Sequence, residues 1–373
     1  MNRRIKPTAA VRKVTAAIVS LVVTSLLVLQ VFRPTSHLLR QSSNPSLRFF
    51  VIGDWGTNDK HQKLVAKHMY SKSKQFLPSF VLSTGDQMYN MDKKQREIDG
   101  IDGVASIFDS SFQSKFEDMY SKLKVPWYMT LGNHDCSGNG TAEILYSQHS
   151  PSQLWKMPSR YYTFSTKLGL GNTKNIIQTI VLDSCSLACA GGKNDRCHGV
   201  KLPFDSSDKQ VQLQWLKNLL ETGLPTTDSI YVIVSHWPIF SMMGNGPTEI
   251  MIKEIEPMLE EATTRGHKVI WFNGHDHGLQ HIQRRKNHYF VSGAGGFKLH
   301  SALKKSADGA YVEKGTGLIK STLNEMEDVN IQFSRACFGF ISVEINDSGK
   351  VNIELYESKP NAETATMIYR AMI

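Results

Sequence analysis

Five short motifs, each following an apolar run rich in Val, Ile and aromatics, carry the residue types that metal chemistry needs. They are Gly53-Asp54-Trp55-Gly56, Gly85-Asp86-Gln87-Met88-Tyr89, Gly132-Asn133-His134-Asp135, Ser235-His236 and Gly274-His275-Asp276-His277. Together they offer carboxylates, an amide, a phenol and imidazoles, too many donors for one tetrahedral ion. They suit two octahedral ions bridged by a shared carboxylate, the arrangement that clamps the attacking and leaving oxygens of a phosphate ester. Glycine beside the donors has no Cβ to keep backbone and ion apart. Each motif also has a plain reading. An Asp after a strand and a glycine is usually a turn or a helix cap. A single His among the 13 of this chain is more often a surface or packed residue than a ligand. The joint occurrence, in one order and always after a strand, outweighs those readings.

The elements that must position these groups follow from periodicity. Strands are predicted at Arg48–Gly53, Phe80–Thr84, Trp127–Leu131, Ile176–Leu182, Ile230–Ser235, Val269–Asn273, Tyr289–Ser292, Phe340–Ile345 and Val351–Tyr356. Helices are predicted at His61–Gln75, Ser106–Tyr120, Lys209–Glu221 (with Asp208 as its N-cap) and Glu249–Thr263. Strands alternating with helices imply an α/β layered fold, in which the carboxyl ends of strands converge on one ligand crevice. Two polar stretches, Cys185–Asp208 and Lys304–Ser334, read as long surface loops, and such loops are often functional. The first is placed at the crevice rim, where it would restrict substrate access.

The order D-x-G, G-D-x-x-Y, G-N-H-D, (V/I)-x-x-H and G-H-x-H resembles the purple acid phosphatases among the binuclear metallophosphoesterases. The resemblance extends to their small, mammalian tartrate-resistant type. Gly132-Asn-His-Asp-Cys-Ser-Gly-Asn139, His236-Trp-Pro-Ile-Phe-Ser241, Gly246-Pro-Thr248 and Ser292-Gly-Ala-Gly-Gly296 are similar to that group, and coverage runs from Leu47 to the C-terminus. The resemblance implies a four-layer α/β/β/α sandwich over residues 47–373 that hydrolyses phosphate monoesters by metal-activated hydroxide attack. It further implies that Asp54, Tyr89 and His277 bind Fe³⁺, that Asp86 bridges, and that Asn133, His236 and His275 bind a divalent ion: Fe²⁺, Zn²⁺ or Mn²⁺. A phenol needs a strong Lewis acid to ionise at acidic pH, which agrees with a trivalent metal at Tyr89. His134 is then the acid for the leaving alkoxide and Asp135 its orienter. Three positions depart from the pattern: Ile233 replaces a valine, Ile250 stands where a cysteine would fall, and Asn245 stands where the animal enzymes carry histidine. Asn245 is therefore a candidate at the substrate rim. In the small animal enzymes a loop comparable to Cys185–Asp208 restrains activity until nicked, so limited proteolysis is expected to raise turnover.

Composition places this chemistry in a compartment. The 373 residues are 40% hydrophobic and 21% charged, a globular balance. Seven of the 43 Lys and Arg lie in residues 1–40, which hold no acid; the remainder is near neutral, with 36 bases against 34 acids. A nucleic-acid partner is thereby disfavoured. Residues 1–13 read as a basic cytosolic tail and the uncharged run 14–32 as a transmembrane helix of about 29 Å. Residues 33–46 read as a stalk. The positive-inside rule then gives a type II membrane protein with a lumenal or extracellular enzyme domain. A cleaved signal is the alternative, leaving a secreted or lysosome-like protein. Of five cysteines, Cys189 and Cys197 are read as a loop disulfide in preference to a zinc cluster with Cys185 and His198, whose spacing matches no common finger. Asn139 and Asn346 head glycosylation sequons. Substrates are small phosphate monoesters or phosphoproteins; a phosphodiesterase of the same superfamily and a non-catalytic lumenal binding module are the rival functions.

Overall fold

In Phe49-Phe50-Val51-Ile52 every side chain is buried, yet successive ones point to opposite faces. Phe49 and Val51 join an apolar cluster with Phe80, Leu82, Val232, Val234, Ile270 and Phe272. Phe50 and Ile52 join another, with Val65 and Met69. Strands buried on both faces lie between two layers, and that requirement sets the architecture.

The structure, a computed structural model, describes residues 38–41, 46–168, 175–189, 206–222, 224, 229–245, 247–302, 304–305, 311–312 and 328–373. One sheet runs in the order β17 (Thr366–Met372), β16 (Val351–Glu357), β15 (Gly339–Asn346), β2 (Ser46–Ile52), β3 (Phe80–Ser83), β4 (Trp127–Met129) and β5 (Trp155–Lys156). The other runs β1 (Leu38–Gln41), β6 (Tyr162–Leu168), β7 (Asn175–Val181), β8 (Ile230–Val234), β9 (Lys268–Asn273), β11 (Asn287–Ser292), β10 (Leu279–Arg284) and β14 (Val329–Arg335). A separate pair joins β12 (Lys304–Lys305) to β13 (Tyr311–Val312). The inner faces of the two large sheets meet in the cluster around Phe49 and Phe272. Helix Lys60–Phe76 covers one outer face through Val65 and Met69. Helices Ser206–Thr222 and Glu256–Thr264 bring Leu213, Leu216 and Leu259 to Tyr231, Ile233 and Trp271 of the other sheet. The chain thus has the two facing sheets of the metallophosphoesterase fold, with helices outside. Strands β2, β3 and β4 are mutually parallel, as are β7, β8 and β9, so five motif-bearing ends open on one edge of the sandwich.

Each of the nine expected strands is present. Several others carry weaker signals: β1 pairs in parallel with β6 inside the expected stalk, and β14 falls in the expected loop Lys304–Ser334. The helix expected at Ser106–Tyr120 is a π-helical stretch, Phe112–Glu117, followed by one short turn. That expected at Glu249–Thr263 breaks at Ile255, and Pro257, which has no N–H, opens the second segment. Asp208 is not an N-cap; its helix begins at Ser206, and its carboxylate lies 3.4 Å from Arg160. The apolar run 14–32 and most of the loop after Cys185 lie outside the described residues. Among the described residues no helix is long and apolar enough to cross a membrane.

The cysteines form a bridge that the sequence reading did not name. Cys136 is bonded to Cys185, joining the short helix Asn133–Ser137 to helix Ser184–Cys189 across a sequence separation of 49. Cys189 is disulfide-bonded as well, while Cys197, its expected partner, lies outside the described residues. Cys337 is a buried free thiol. Opening a loop of that length costs about 2–5 kcal/mol. The double variant Cys136→Ser/Cys185→Ser should lower the unfolding free energy from urea titration by that amount, and the midpoint with it, while keeping native circular dichroism. An unchanged midpoint would show that the bridge adds no stability.

Candidate metal centre

Three of the candidate ligands adopt a backbone conformation that non-glycine residues rarely take: φ is +57° at Asp54, +53° at Asp86 and +66° at His275. Each such residue costs about 1–3 kcal/mol and persists only where its surroundings dictate it. Those surroundings are visible. Asp54 N–H donates to the Gly85 carbonyl at 2.9 Å, Asp86 N–H to Asp135 Oδ2 at 2.8 Å, and His275 N–H to Asp54 Oδ2 at 3.0 Å. Gly85 itself has φ +92°. A Cβ on Gly132 would collide with Asp86 Oδ1, so close packing against the carboxylate requires glycine there.

The side chains delivered in this way converge. The Tyr89 hydroxyl lies 3.1 Å from Asp54 Oδ1 and 3.0 Å from Asp86 Oδ2, and His277 Nε2 lies 3.1 Å from Asp54 Oδ1. In a second group, Asn133 Oδ1 is 2.9 Å from both His236 Nε2 and His275 Nδ1, which are 3.2 Å apart. His236 Nε2 stands 3.4 Å from Asp86 Oδ2, so the groups meet at that oxygen. Neighbouring ligands on an octahedral ion with bonds near 2.1 Å are about 3.0 Å apart. Both groups have that spacing, and the donor set fits two ions sharing Asp86. Asp54, Asp86 and His236 alone place three candidate donor atoms within 4.8 Å of one another.

Charge points the same way. Burial, with Asp54 and Asp86 beside it, holds the Tyr89 phenol well above its usual pKa. Burial also works against the Asp54 charge, but the His277 hydrogen bond and the nearby imidazoles outweigh it and lower its pKa. For His277, the bond and charge of Asp54 overcome burial and raise the pKa. Without a cation the site balances its carboxylates with imidazole protons; a cation binding there must displace them.

His134 and Asp135 are organised differently from the sequence reading. His134 Nδ1 pairs with Asp102 Oδ2 at 2.7 Å, and its Nε2 reaches to 3.9 Å from Asp86 Oδ2. Burial lowers the His134 pKa, but the charges of Asp86 and Asp102 and the Asp102 hydrogen bond raise it overall. Asp135 instead takes backbone N–H donors from Asp86 and Gly132 at 2.8 Å, Met88 at 3.0 Å and Gln87 at 3.4 Å. Its position one residue after His134 on a helical turn sends its carboxylate inward, away from that ring. Asp102 could not be foreseen, because it lies 32 positions before His134 in a loop without periodicity.

Asn245 turns its side-chain amide to the His275 carbonyl at 3.0 Å, and its N–H donates to Asp276 Oδ1 at 2.9 Å. It braces the His275 loop, so a role at the rim has no support from this side chain's bonds. Asn139 caps helix Gly140–His149, accepting from Ala142 N–H at 3.1 Å while its Nδ2 donates to Ala105. Asn346 closes the turn between β15 and β16. Several supports escaped the motif search. Ser184 Oγ accepts His236 N–H at 2.9 Å, the Thr84 carbonyl holds His236 Nδ1 at 2.8 Å, and the Lys298 carbonyl holds His277 Nδ1 at 2.6 Å. Two of these are backbone groups, which no residue type advertises.

Parallel strand ends from two facing sheets, converging on acidic, phenolic and imidazole donors, define a binuclear phosphoesterase. The chain belongs to the calcineurin-like phosphoesterases, whose family profile matches residues 47–279. It is 33% identical over 284 residues to tartrate-resistant acid phosphatase type 5 of Homo sapiens, covering 74% of this chain and 80% of that protein. To purple acid phosphatase 4 of Arabidopsis thaliana it is 31% identical over 270 residues, covering 70% and 71%. Among solved structures, GAP50, described as the anchor in the inner membrane complex of Plasmodium, aligns with a TM-score of 0.66 and 21% identity over 87% of this chain and 88% of that one. Purple acid phosphatase PPD1 from yellow lupin seeds aligns at 0.52 with 13% identity, covering 89% and 54%. These two alignments show the shared fold.

The Asp102 contact has a measurable consequence. His134 keeps its proton to higher pH because Asp86 and Asp102 raise its pKa. Asp102→Asn removes one of those charges, so the alkaline limb of kcat against pH should move to lower pH. A limb that stays in place would show that His134 titration does not set it.

Proposed function

We propose that this metal-dependent phosphatase, which acts on phosphate monoesters, works at a ferric–divalent centre held by the seven convergent side chains. Asp54, Tyr89 and His277 are assigned to Fe³⁺, Asp86 to the bridge, and Asn133, His236 and His275 to Fe²⁺, Zn²⁺ or Mn²⁺. One observation carries the reading: the buried Tyr89 oxygen stands about equally far from two carboxylates. A phenol so placed loses its proton only to a strongly charged cation. When bound, the ions supply a hydroxide nucleophile and neutralise charge on the phosphoryl oxygens.

The chain's own residues do the rest. His134 Nε2 faces the bridging carboxylate from the edge of the cluster and is placed to donate its proton to the departing ester oxygen. Asp102 Oδ2 lies 2.7 Å from the other ring nitrogen, Nδ1, which leaves Nε2 as the nitrogen that faces the cluster. Asp135 keeps Asp86 in its unfavourable backbone conformation through the Asp86 N–H. We further propose that the domain faces a lumenal or extracellular space. The basic tail, the apolar run and an interior disulfide agree on an oxidising compartment. Asn346 is the better glycan acceptor, since its turn is held through Oδ1, whereas Asn139 Nδ2, the atom a glycan would take, donates to the Ala105 carbonyl.

Ferric phenolate absorbs visible light by ligand-to-metal charge transfer. The purified protein should be pink to purple, and Tyr89→Phe should abolish the band even where iron remains bound. A protein with stoichiometric ferric iron and no such band would remove Tyr89 from the metal. His134→Ala should keep both metals and lose about 10²- to 10⁴-fold in rate on alkyl phosphates. The loss should be smaller on activated aryl phosphates, whose phenolate leaves unaided; equal losses would exclude His134 as the acid.

A further inference from the structure

The exposed apolar side chains of the domain are unevenly placed. Ten large ones are exposed among the described residues. The two most exposed, Phe108 at 87% and Ile98 at 78%, share one stretch of chain with a third, Met91. Single exposed apolar residues are ordinary, whereas an exposed group marks an interaction surface. This stretch forms the rim of the metal centre on the His134 side. Met91 follows Tyr89 by two residues. Asp102 meets His134 Nδ1 at 2.7 Å, and a Cβ on Gly103 would stand only 2.7 Å from the His134 carbonyl oxygen. The Val104 carbonyl then accepts the Asn139 N–H at 2.7 Å. Acidic groups here are engaged locally. Asp92 caps helix Lys93–Asp99, Glu97 lies 3.7 Å from Lys93, and Asp109 accepts the Ala105 and Ser111 N–H groups. Residues 91–110 hold five acids against three bases, so a phosphorylated or acidic partner would be repelled.

A second observation comes from the start of the described chain. β6 is antiparallel to β7, so β1, parallel to β6, runs away from the catalytic edge and turns its N-terminal end toward it. Leu38 stands opposite Phe164, Phe164 opposite Thr179, and Thr179 opposite Val232, four residues before His236. With strands about 4.8 Å apart and a rise of about 3.3 Å per residue, Leu38 lies about 20 Å from the His236 backbone. Phe32, the last residue of the apolar run 14–32, is joined to Leu38 by six peptide steps, a reach of at most about 22 Å. The Asn346 turn, the favoured glycan site, lies at the opposite edge, where Asn346 pairs with Ser46 at the start of β2.

We infer that the rim carrying Phe108, Ile98 and Met91 is a lipid-contact surface that lies against a zwitterionic bilayer, so that the metal centre opens at the membrane surface. The inference rests on the proposed reading of residues 14–32 as a membrane span. A span tied so closely to Leu38 brings the bilayer to the end of the sandwich that β1 faces. Aromatic and aliphatic side chains at that end enter the headgroup boundary, as the apolar faces of interfacial helices do. The local excess of acid is the reverse of the polybasic character that seeks anionic lipid. A glycan on Asn346 would point away from the bilayer.

The test uses the full chain in vesicles of phosphatidylcholine alone. A nitroxide is attached at Phe108→Cys, at Ile98→Cys or, as a control at the opposite edge, at Lys350→Cys, with wild type treated alike as background. All three side chains are exposed, so the core is left alone. Collision with oxygen, which concentrates in lipid, against collision with a water-soluble nickel chelate reads the depth of each label. Labels at positions 108 and 98 should sit about 5–10 Å below the lipid phosphates, and the label at position 350 should remain in water. Labels at 108 and 98 as aqueous as that at 350 overturn the lipid surface. Vesicle flotation after a carbonate wash reads the membrane span by itself. A chain that washes off, although its labels were immersed beforehand, keeps the surface and removes the span; a chain that resists washing with aqueous labels does the reverse. Labels shielded only when a phosphopeptide is added would assign the rim to a protein partner and overturn the lipid reading.

Discussion

Two carboxylates and a phenol oxygen, buried side by side, cannot all carry charge without a cation among them. Asp54, Asp86 and Tyr89 are in that position, and each is essentially removed from solvent. Burial and the two carboxylates keep the phenol protonated, and Asp54 leans on the His277 imidazole. This arrangement is a poor way to stabilise a fold, because apolar residues of similar volume would do as well or better. Ligands in left-handed conformations and glycines pressed against carboxylates add to the cost. Such costs gather where function needs them, and here a pair of cations offsets them.

What keeps the cluster rigid lies beneath it. Asp135 gathers the N–H groups of the Asp86 loop and of Gly132, so two strand ends are tied to one carboxylate. Gln87 extends the tie, donating to the Thr130 carbonyl at 2.8 Å and to Glu143 at 2.9 Å, and accepting from Ser83 Oγ at 3.0 Å. Burial pushes Glu143 up to about 8, so it carries a proton at neutral and acidic pH. Burial and the charges of Glu143 and Asp86 raise Asp135 well above the usual carboxylate range as well, and the N–H groups of Gly132 and Gln87 work against that rise. The Cys136–Cys185 bridge closes the same region from the side, beside the Ser184 hydroxyl that holds the backbone of His236. The loops bearing Asp86, Asn133 and His236 are therefore one connected body.

The central strands and the convergence of the seven candidate donors were legible in the sequence because both depend on local signals. Parallel strands buried on both faces appear as unbroken apolar runs, and each donor follows such a run directly. Edge and hairpin elements gave weaker signals: Leu38–Gln41 is four residues of mixed character, and Val329–Arg335 exposes much of its surface. Long-range pairings were not legible. Asp102 reaches His134 from a loop without periodicity, and Cys136 finds Cys185 only after β4 and β7 are laid in opposite sheets. Asp135 was misread for a related reason. Adjacency in sequence suggested contact with His134, but consecutive residues on a helix point about 100° apart.

The imidazoles show how the backbone decides chemistry that residue type leaves open. A carbonyl oxygen only accepts, so His236 Nδ1 must carry the proton it shares with Thr84, leaving its Nε2 lone pair facing Asn133 and Asp86. The Lys298 carbonyl does the same for His277, whose Nε2 then faces Asp54. Both rings turn Nε2 toward the place of a cation, so once any proton held there is displaced neither has to change tautomer to bind it. The two groups of donors are nonetheless unequal in charge. One offers Asp54, the Tyr89 oxygen and a single imidazole; the other offers an amide oxygen and two imidazoles, and the bridging carboxylate belongs to both. An anionic pocket holds the more highly charged ion and a neutral one the less charged. The unequal charge we propose for the two ions accords with which side chains the strands deliver, while the backbone carbonyls of Thr84 and Lys298 determine which ring nitrogens face the cluster.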